Sequence, residues 1–316
     1  MKRFLLHTAG TLFLAGVLLE VVLRVFHLAS HVPPEADVNG DRLYLPGARG
    51  TWVYGGLGEI RGRYVINAQG WNSTVDYEEE AIAPAGASTG TTTVRVAIIG
   101  DSFIEGMHVD ADSSVGRIME SLSPDYIVNE YGKAGANVAD YALIYKKYVE
   151  GRYDHVFVLV SDDDLVQELS GFMNRGQEVR APSLAMKVYR NCHVLRYFRL
   201  NHKLGARLRG RRQEKAATDL PATSFLGQVN HDALDILDNH VIYLYRTGKL
   251  NSVFVASRPC LEIRQDLQPY DFGFDGHWNM NGRWNCAMSI YRYIQEGSGY
   301  HRSRIPDPGS GKQLRK

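Results

Sequence analysis

Apolar and polar positions alternate between two periods along the middle of the chain. Residues 94–99 (Val-Arg-Val-Ala-Ile-Ile), 126–130 and 155–160 are short runs rich in Val, Ile and Phe, and they read as buried strands. Between them, 114–122 and 138–150 carry helical spacing, and Asp112, Ser113 and Ser114 offer caps for the first helix. Farther on, the pattern predicts a helix over 231–247, a strand over 252–257 (Ser-Val-Phe-Val-Ala-Ser) and a closing helix near 282–295. Strands that alternate with helices predict a central, mostly parallel sheet covered on both faces, a three-layer α/β/α sandwich.

The N-terminal pattern is different. From Phe4 to Phe26 the chain is mostly apolar over about 23 residues, roughly 34 Å as a helix, long enough to span a bilayer. Glu20 and Arg24, which interrupt the run with His7, are spaced to pair on one helix face. Lys2 and Arg3 precede it, which keeps the N-terminus cytoplasmic and puts the body outside. A signal peptide cut near Leu28-Ala29-Ser30 is the alternative. Pro33-Pro34, Asn39-Gly40 and Pro46-Gly47 mark an extended linker over 30–50; short strands are expected over 51–75 and a flexible loop over 76–93. The chain thus divides into an anchor or signal (1–29), a linker and extension (30–93), a core domain (94–296) with an insert (166–229), and a basic, disordered tail (297–316).

Composition adds bounds rather than a function. With 316 residues and a net charge of +1, the chain can bury a full core, and bulk charge predicts no polyanionic partner such as nucleic acid. Cys192, Cys260 and Cys286 have no metal spacing; the last two could pair in an oxidising compartment or remain separate thiols. No metal-ligand motif and no phosphate-cradling glycine loop is present, so neither metal nor cofactor is expected. In the insert, Val194–Leu200 and then Arg207, Arg209, Arg211 and Arg212 read as a solvated helix face, or as a surface for acidic glycan or anionic lipid.

Two segments carry chemistry. The strand at 94–99 runs into Gly100-Asp101-Ser102, which leaves a hydroxyl at a strand end, where open α/β sheets gather ligands. Ser102 is a candidate nucleophile, and a serine needs a base within hydrogen-bond reach. Far downstream, Asp275-Gly-His277-Trp-Asn supplies one: His277 as base, Asp275 to orient it. The alternative has His277 merely cap or pack against the helix that starts near Asn281.

Together these segments resemble the SGNH (GDSL-like) hydrolase family, and the closing block resembles the form found in membrane-anchored bacterial members and glycan O-acetylation proteins. Gly132-Lys-Ala-Gly135 and the lead-in Tyr64–Trp71 extend the likeness to roughly residues 45–296. The resemblance implies a flavodoxin-like sheet, a Ser102–His277–Asp275 triad, and an oxyanion hole built from the N–H groups of Ser102 and Gly135. One block departs from the pattern. Where the family carries an oxyanion-donating Asn after its third strand, this chain reads Ser161-Asp-Asp-Asp, with Asp163 or Asp162 at that place. An ionised carboxylate only accepts hydrogen bonds. Asn137 is either a substitute donor or a helix N-cap. The implied function is an extracytoplasmic serine esterase or O-acyltransferase, held in the inner membrane by one span. Its implied substrate is acyl esters, acetyl above all, of a cell-surface polysaccharide, with envelope polysaccharide machinery as partner. A catalytically weak or inactive glycan-binding or envelope-assembly component is the alternative, and a lipid esterase a second one.

Overall fold

The computed structural model describes residues 1–77, 93–166, 183–201 and 229–297. Most of the expected loop over 76–93, Arg207 to Arg212 in the insert, and the tail after Gly297 lie outside these residues. Helix α1 (Lys2–Val25) leads the chain. Two antiparallel hairpins follow, β1 (Glu35–Val38) with β2 (Asp41–Tyr44), and β3 (Arg49–Tyr54) with β4 (Ile60–Val65). The first was expected as linker; Asn39 and Gly40 both take positive φ (55° and 84°), which suits the tight turn of a two-residue hairpin.

The core alternates as the hydrophobic pattern predicts. Strand β5 (Val94–Gly100), helix α2 (Ser102–Glu105), α3 (Val115–Leu122), β6 (Tyr126–Gly132) and α4 (Val138–Ile144) come first. A π-helical turn over Tyr145–Val149 prolongs α4 through the expected span. Then come β7 (His155–Leu159), α5 (Asp162–Val166), α6 (Leu184–Asn191) and α7 (His193–Asn201). The chain continues with α8 (His231–Leu237), β8 (Ile242–Arg246), α9 (Ser252–Ser257), β9 (Cys260–Ile263) and α10 (Met280–Gly297).

Five strands form one parallel sheet in the order β6-β5-β7-β8-β9. That is the flavodoxin-like order, and it places the loop after β5 at the topological switch point. Both faces are covered. Val96 and Ile98 of β5 pack with α3 and α10, while Ala97 and Ile99 pack with α4 and α8. All four are fully buried, as a central parallel strand requires; each large aliphatic side chain contributes about 1.5–3 kcal/mol.

Two expectations fail on the C-terminal side. The helix expected over 231–247 stops at Leu237, and Ile242–Arg246 is a sheet strand. Its Ile-Tyr-Leu-Tyr run is β-branched and aromatic, and Tyr243 and Leu244 are buried on opposite faces. The strand expected over 252–257 is helical instead. Asn251 caps it by accepting the Val253 N–H (2.9 Å), and only Phe254 is buried. Here a cap and the neighbouring packing override the strand propensity of Val-Phe-Val. All three cysteines are free thiols, with Cys286 in the core.

Helix α1 is exposed along most of its length but docks at its far end. Glu20 accepts the N–H groups of His193 (3.1 Å) and Val194 (2.9 Å) at the start of α7, and Arg24 donates to the Asn191 carbonyl (3.0 Å). Arg24 also pairs with Glu20 at 2.8 Å, the i,i+4 contact the spacing predicts.

Candidate active site

Ser102 opens α2 directly after the central strand. Asp101 caps that helix, its carboxylate accepting the Phe103 N–H (2.9 Å). The segment carrying His277 is a tight loop closed by an antiparallel bridge between Asp271 and Trp278. Trp278 is buried on the α3–α10 side of the sheet. Asn279 accepts the N–H groups of Asn281 (2.8 Å) and Gly282 (3.2 Å) and donates to the Pro269 and Asp271 carbonyls. In Asp-Gly-His-Trp-Asn, the Trp is therefore the anchor and the Asn ties loop to helix, which leaves Asp275 and His277 to face Ser102.

The three residues are brought together. Ser102 Oγ lies 2.9 Å from His277 Nε2, and His277 Nδ1 lies 2.6 Å from Asp275 Oδ2. Ionised Asp275 can only accept, so Nδ1 carries the proton and Nε2 is left to accept from the serine hydroxyl. Burial works against the ionised form of Asp275. The hydrogen bond and charge of His277 outweigh it and hold the carboxyl below the usual range.

Four further residues surround this chain of contacts, and sequence reasoning singled out none of them. Phe103 stacks on the His277 ring at 4.9 Å and 27°, and Arg246 at the end of β8 places its guanidinium 4.0 Å from the Phe103 ring centre. On the other face, His108 stacks on His277 at 3.9 Å and 13°, and Trp52 of β3 meets His108 edge-on at 6.1 Å. Phe103 had a local signal, because it follows the nucleophile. His108, Trp52 and Arg246 had none, since only the fold brings them here.

Helix α2 packs against the loop after β6. Buried Glu105 accepts the Tyr44 hydroxyl (2.6 Å) and the Ala134 N–H (3.1 Å), while its backbone carbonyl accepts Asn72 Nδ2 (2.8 Å). The N-terminal extension therefore buttresses α2. Gly135 has φ of 81°, a conformation that L side chains rarely adopt. Its neighbours' N–H groups are engaged, Ala134 with Glu105 and Ala136 with the Lys133 carbonyl, but the Gly135 N–H has no acceptor among the described residues. Asn137 caps α4 in a reciprocal box with Asp140, its side-chain oxygen accepting the Ala139 N–H (3.1 Å).

The aspartate run lies at the start of α5. Asp162 accepts the Asn251 N–H (2.7 Å), and Asp164 accepts the Ser161 N–H (2.8 Å) and hydroxyl (2.7 Å). Asp163 is exposed, and its carboxylate is uncommitted among the described residues. Burial and then the nearby Asp101 carboxylate push Asp164 up to about 7, and burial raises Asp101 too. Beneath the site, the buried Arg283 of α10 fills the space at Gly106, the left-handed C-cap of α2 (φ 66°). A Cβ there would stand 1.5 Å from the guanidinium.

The ligating atoms of His108, Asp275 and His277 also lie within 4.8 Å of one another. Nearly parallel imidazoles hold their in-plane lone pairs in separate planes, so no single ion lies on both axes. Within the cluster, His277 and Asp275 share a hydrogen bond (2.6 Å) and His108 stacks on His277.

No family model matches this chain, and no curated protein matches it. Solved structures do. One is a member of the lipolytic G-D-S-L family from Veillonella parvula DSM 2008, at 13% identity and TM-score 0.34, covering 64% of this chain and 99% of that one. Another is a lipase from a goat rumen metagenome, at 12% identity and TM-score 0.31, covering 66% and 99%. A carbohydrate acetylesterase family member from Sinorhizobium meliloti matches at 10% identity and TM-score 0.22, covering 66% and 81%.

Proposed function

We propose that this chain is a serine esterase or O-acyltransferase of the SGNH type. The observation that carries the reading is the continuous line of contacts Ser102 Oγ–His277 Nε2 (2.9 Å) and His277 Nδ1–Asp275 Oδ2 (2.6 Å) at the end of a central parallel strand. Ser102 gives its proton to Nε2 as Oγ bonds to an ester carbonyl. Asp275 stabilises the imidazolium, and the N–H groups of Ser102 and Gly135 receive the oxyanion. His277 then returns the proton to the leaving alcohol as the C–O bond breaks, leaving an acyl-serine. Water, or a sugar hydroxyl in the case of transfer, attacks that ester by the same steps and frees Ser102.

An acetylated cell-surface polysaccharide is the substrate we favour. Besides the resemblance of the closing block, an aromatic surface supports it. Phe274, beside Asp275, is 63% exposed and stacks on Tyr54 at 6.1 Å, a flat face suited to a sugar ring. Helix α1 is the membrane anchor in this reading. It offers a mostly apolar span of 23 residues (Arg3–Val25), and Lys2 and Arg3 set the body outside the cytoplasm, periplasmic if the cell has an outer membrane.

The test is acetyl release from an aryl acetate by the full chain in detergent, beside Ser102→Ala. The substitution should lower turnover by at least about a thousandfold; equal rates for the two proteins would sink the reading. Asp163 favours a second one, a non-catalytic SGNH-like component, because an exposed carboxylate in the donor's place repels an oxyanion. Covalent labelling of Ser102 by a fluorophosphonate decides between the two: a reactive, substitution-sensitive serine rejects the non-catalytic reading.

A further inference from the structure

We infer that His108 is a positioning residue that fixes the ring plane of the catalytic imidazole, an inference resting on the esterase reading above. The observation is geometric. His108 covers one face of His277 at 3.9 Å with its plane tilted by 13°, while Phe103 covers the other at 4.9 Å. The imidazole is held as the middle layer of a stack whose outer ends are Arg246, over Phe103, and Trp52, against the far side of His108. Its two in-plane nitrogens are then free to face only Ser102 and Asp275.

His108 also reaches the carboxylate that orients the base. Its Nε2 lies 3.4 Å from Asp275 Oδ2, the same oxygen that receives His277 Nδ1 at 2.6 Å. The longer contact is beyond ordinary hydrogen-bond length, so stacking is the main means and the shared carboxylate the lesser one. A second imidazole beside the base helps only while it is uncharged. His108 is buried, and burial together with the neighbouring His277 pushes it down to about 3. At neutral pH it adds no positive charge where the imidazolium forms, and its π face lies against that cation.

The backbone keeps it there. Gly62 of β4 packs against the 107–109 segment, where a Cβ would meet the Met107 carbonyl at 2.3 Å. Arg63 binds Asp110 from the same strand, its N–H donating to the carboxylate at 2.8 Å. The β3–β4 hairpin therefore clamps the loop that presents His108.

The experiment compares His108→Ala, His108→Phe and Ser102→Ala with the unaltered full chain, by aryl acetate kinetics and by 15N-histidine NMR of the Nδ1 proton shared with Asp275. His108→Ala should lower kcat by about tenfold to a hundredfold with KM unchanged, the loss expected when a reacting group is held about an ångström less well. It should also speed solvent exchange of that proton. His108→Phe, which keeps an aromatic face, should restore kcat to within about threefold of the unaltered chain. A thermal melt of each variant confirms that it is folded at the assay temperature. Ser102-dependent turnover with His108→Ala within about twofold in kcat, or with the Phe variant no better than the Ala variant, overturns the inference. Absence of Ser102-dependent turnover overturns the esterase reading instead. The inference then stands or falls on whether His108→Ala alters the Nδ1 proton.

Discussion

On one side of Ser102, the imidazole of His277 is gripped in every direction: rings on both faces, a carboxylate at Nδ1, the serine at Nε2. The residues proposed to receive the oxyanion are less engaged: the Gly135 N–H has no acceptor among the described residues, and Asp163, at the sequence position where the resembled family carries a neutral amide, is exposed. The difference teaches which half of the chemistry is demanding to build. In the proposed mechanism, proton transfer depends on side chains from segments far apart, brought together by packing and hydrogen bonds. In that proposal the oxyanion is received by the backbone N–H groups of Ser102 and Gly135, which follow the adjacent strands β5 and β6, so a change at one further donor position leaves the rest of the site standing.

The comparison can be broken most forcefully from the acid–base side. Asp275→Asn would favour the wrong imidazole tautomer, and kcat for aryl acetate should fall by about 10³–10⁴-fold while fluorophosphonate labelling slows in parallel. On the opposite side the sign reverses. Asp163→Asn replaces a repelling carboxylate by a donor and should raise kcat by about tenfold to a hundredfold, within the range one oxyanion donor commands. A neutral or negative result there would mean that α5 does not face the oxyanion.

A smaller effect concerns the carboxylates beneath the site. With Asp164 raised to about 7, the folded chain keeps a proton that the unfolded chain releases near pH 4. That stabilisation is complete below about pH 4 and is lost as pH rises toward 7. The melting temperature should therefore fall between pH 5 and pH 8, and Asp164→Asn should flatten that slope in differential scanning calorimetry. Least of all, Asn137→Ala should cost about 1 kcal/mol in a urea melt, as the loss of a helix cap does, and leave kcat within about twofold. A hundredfold loss of kcat would assign Asn137 to the oxyanion hole instead.

Much of this was legible in the chain, for physical reasons that differ by region. The strand over 94–99 announces itself because both of its faces are buried, so nearly every position is apolar. Asp275 and His277 could be paired with Ser102 because a serine needs a base within reach and their block resembles the closing Asp-His block of a known family. The order of helix and strand over 231–263 was not legible. Short apolar runs fit either state, and the arbiter at 252–257 was a single cap, Asn251. His108 was invisible for another reason: its partners Trp52, Asp275 and His277 come from elements that only the folded chain brings together.

Arg283 has a consequence for how such a site tolerates change. Its guanidinium fills the hollow at Gly106, so α10 and α2 are pegged to each other, although Ser102 and His277 stand 175 positions apart. One added methyl group at Gly106 would stand against that guanidinium and push α2 and α10 apart.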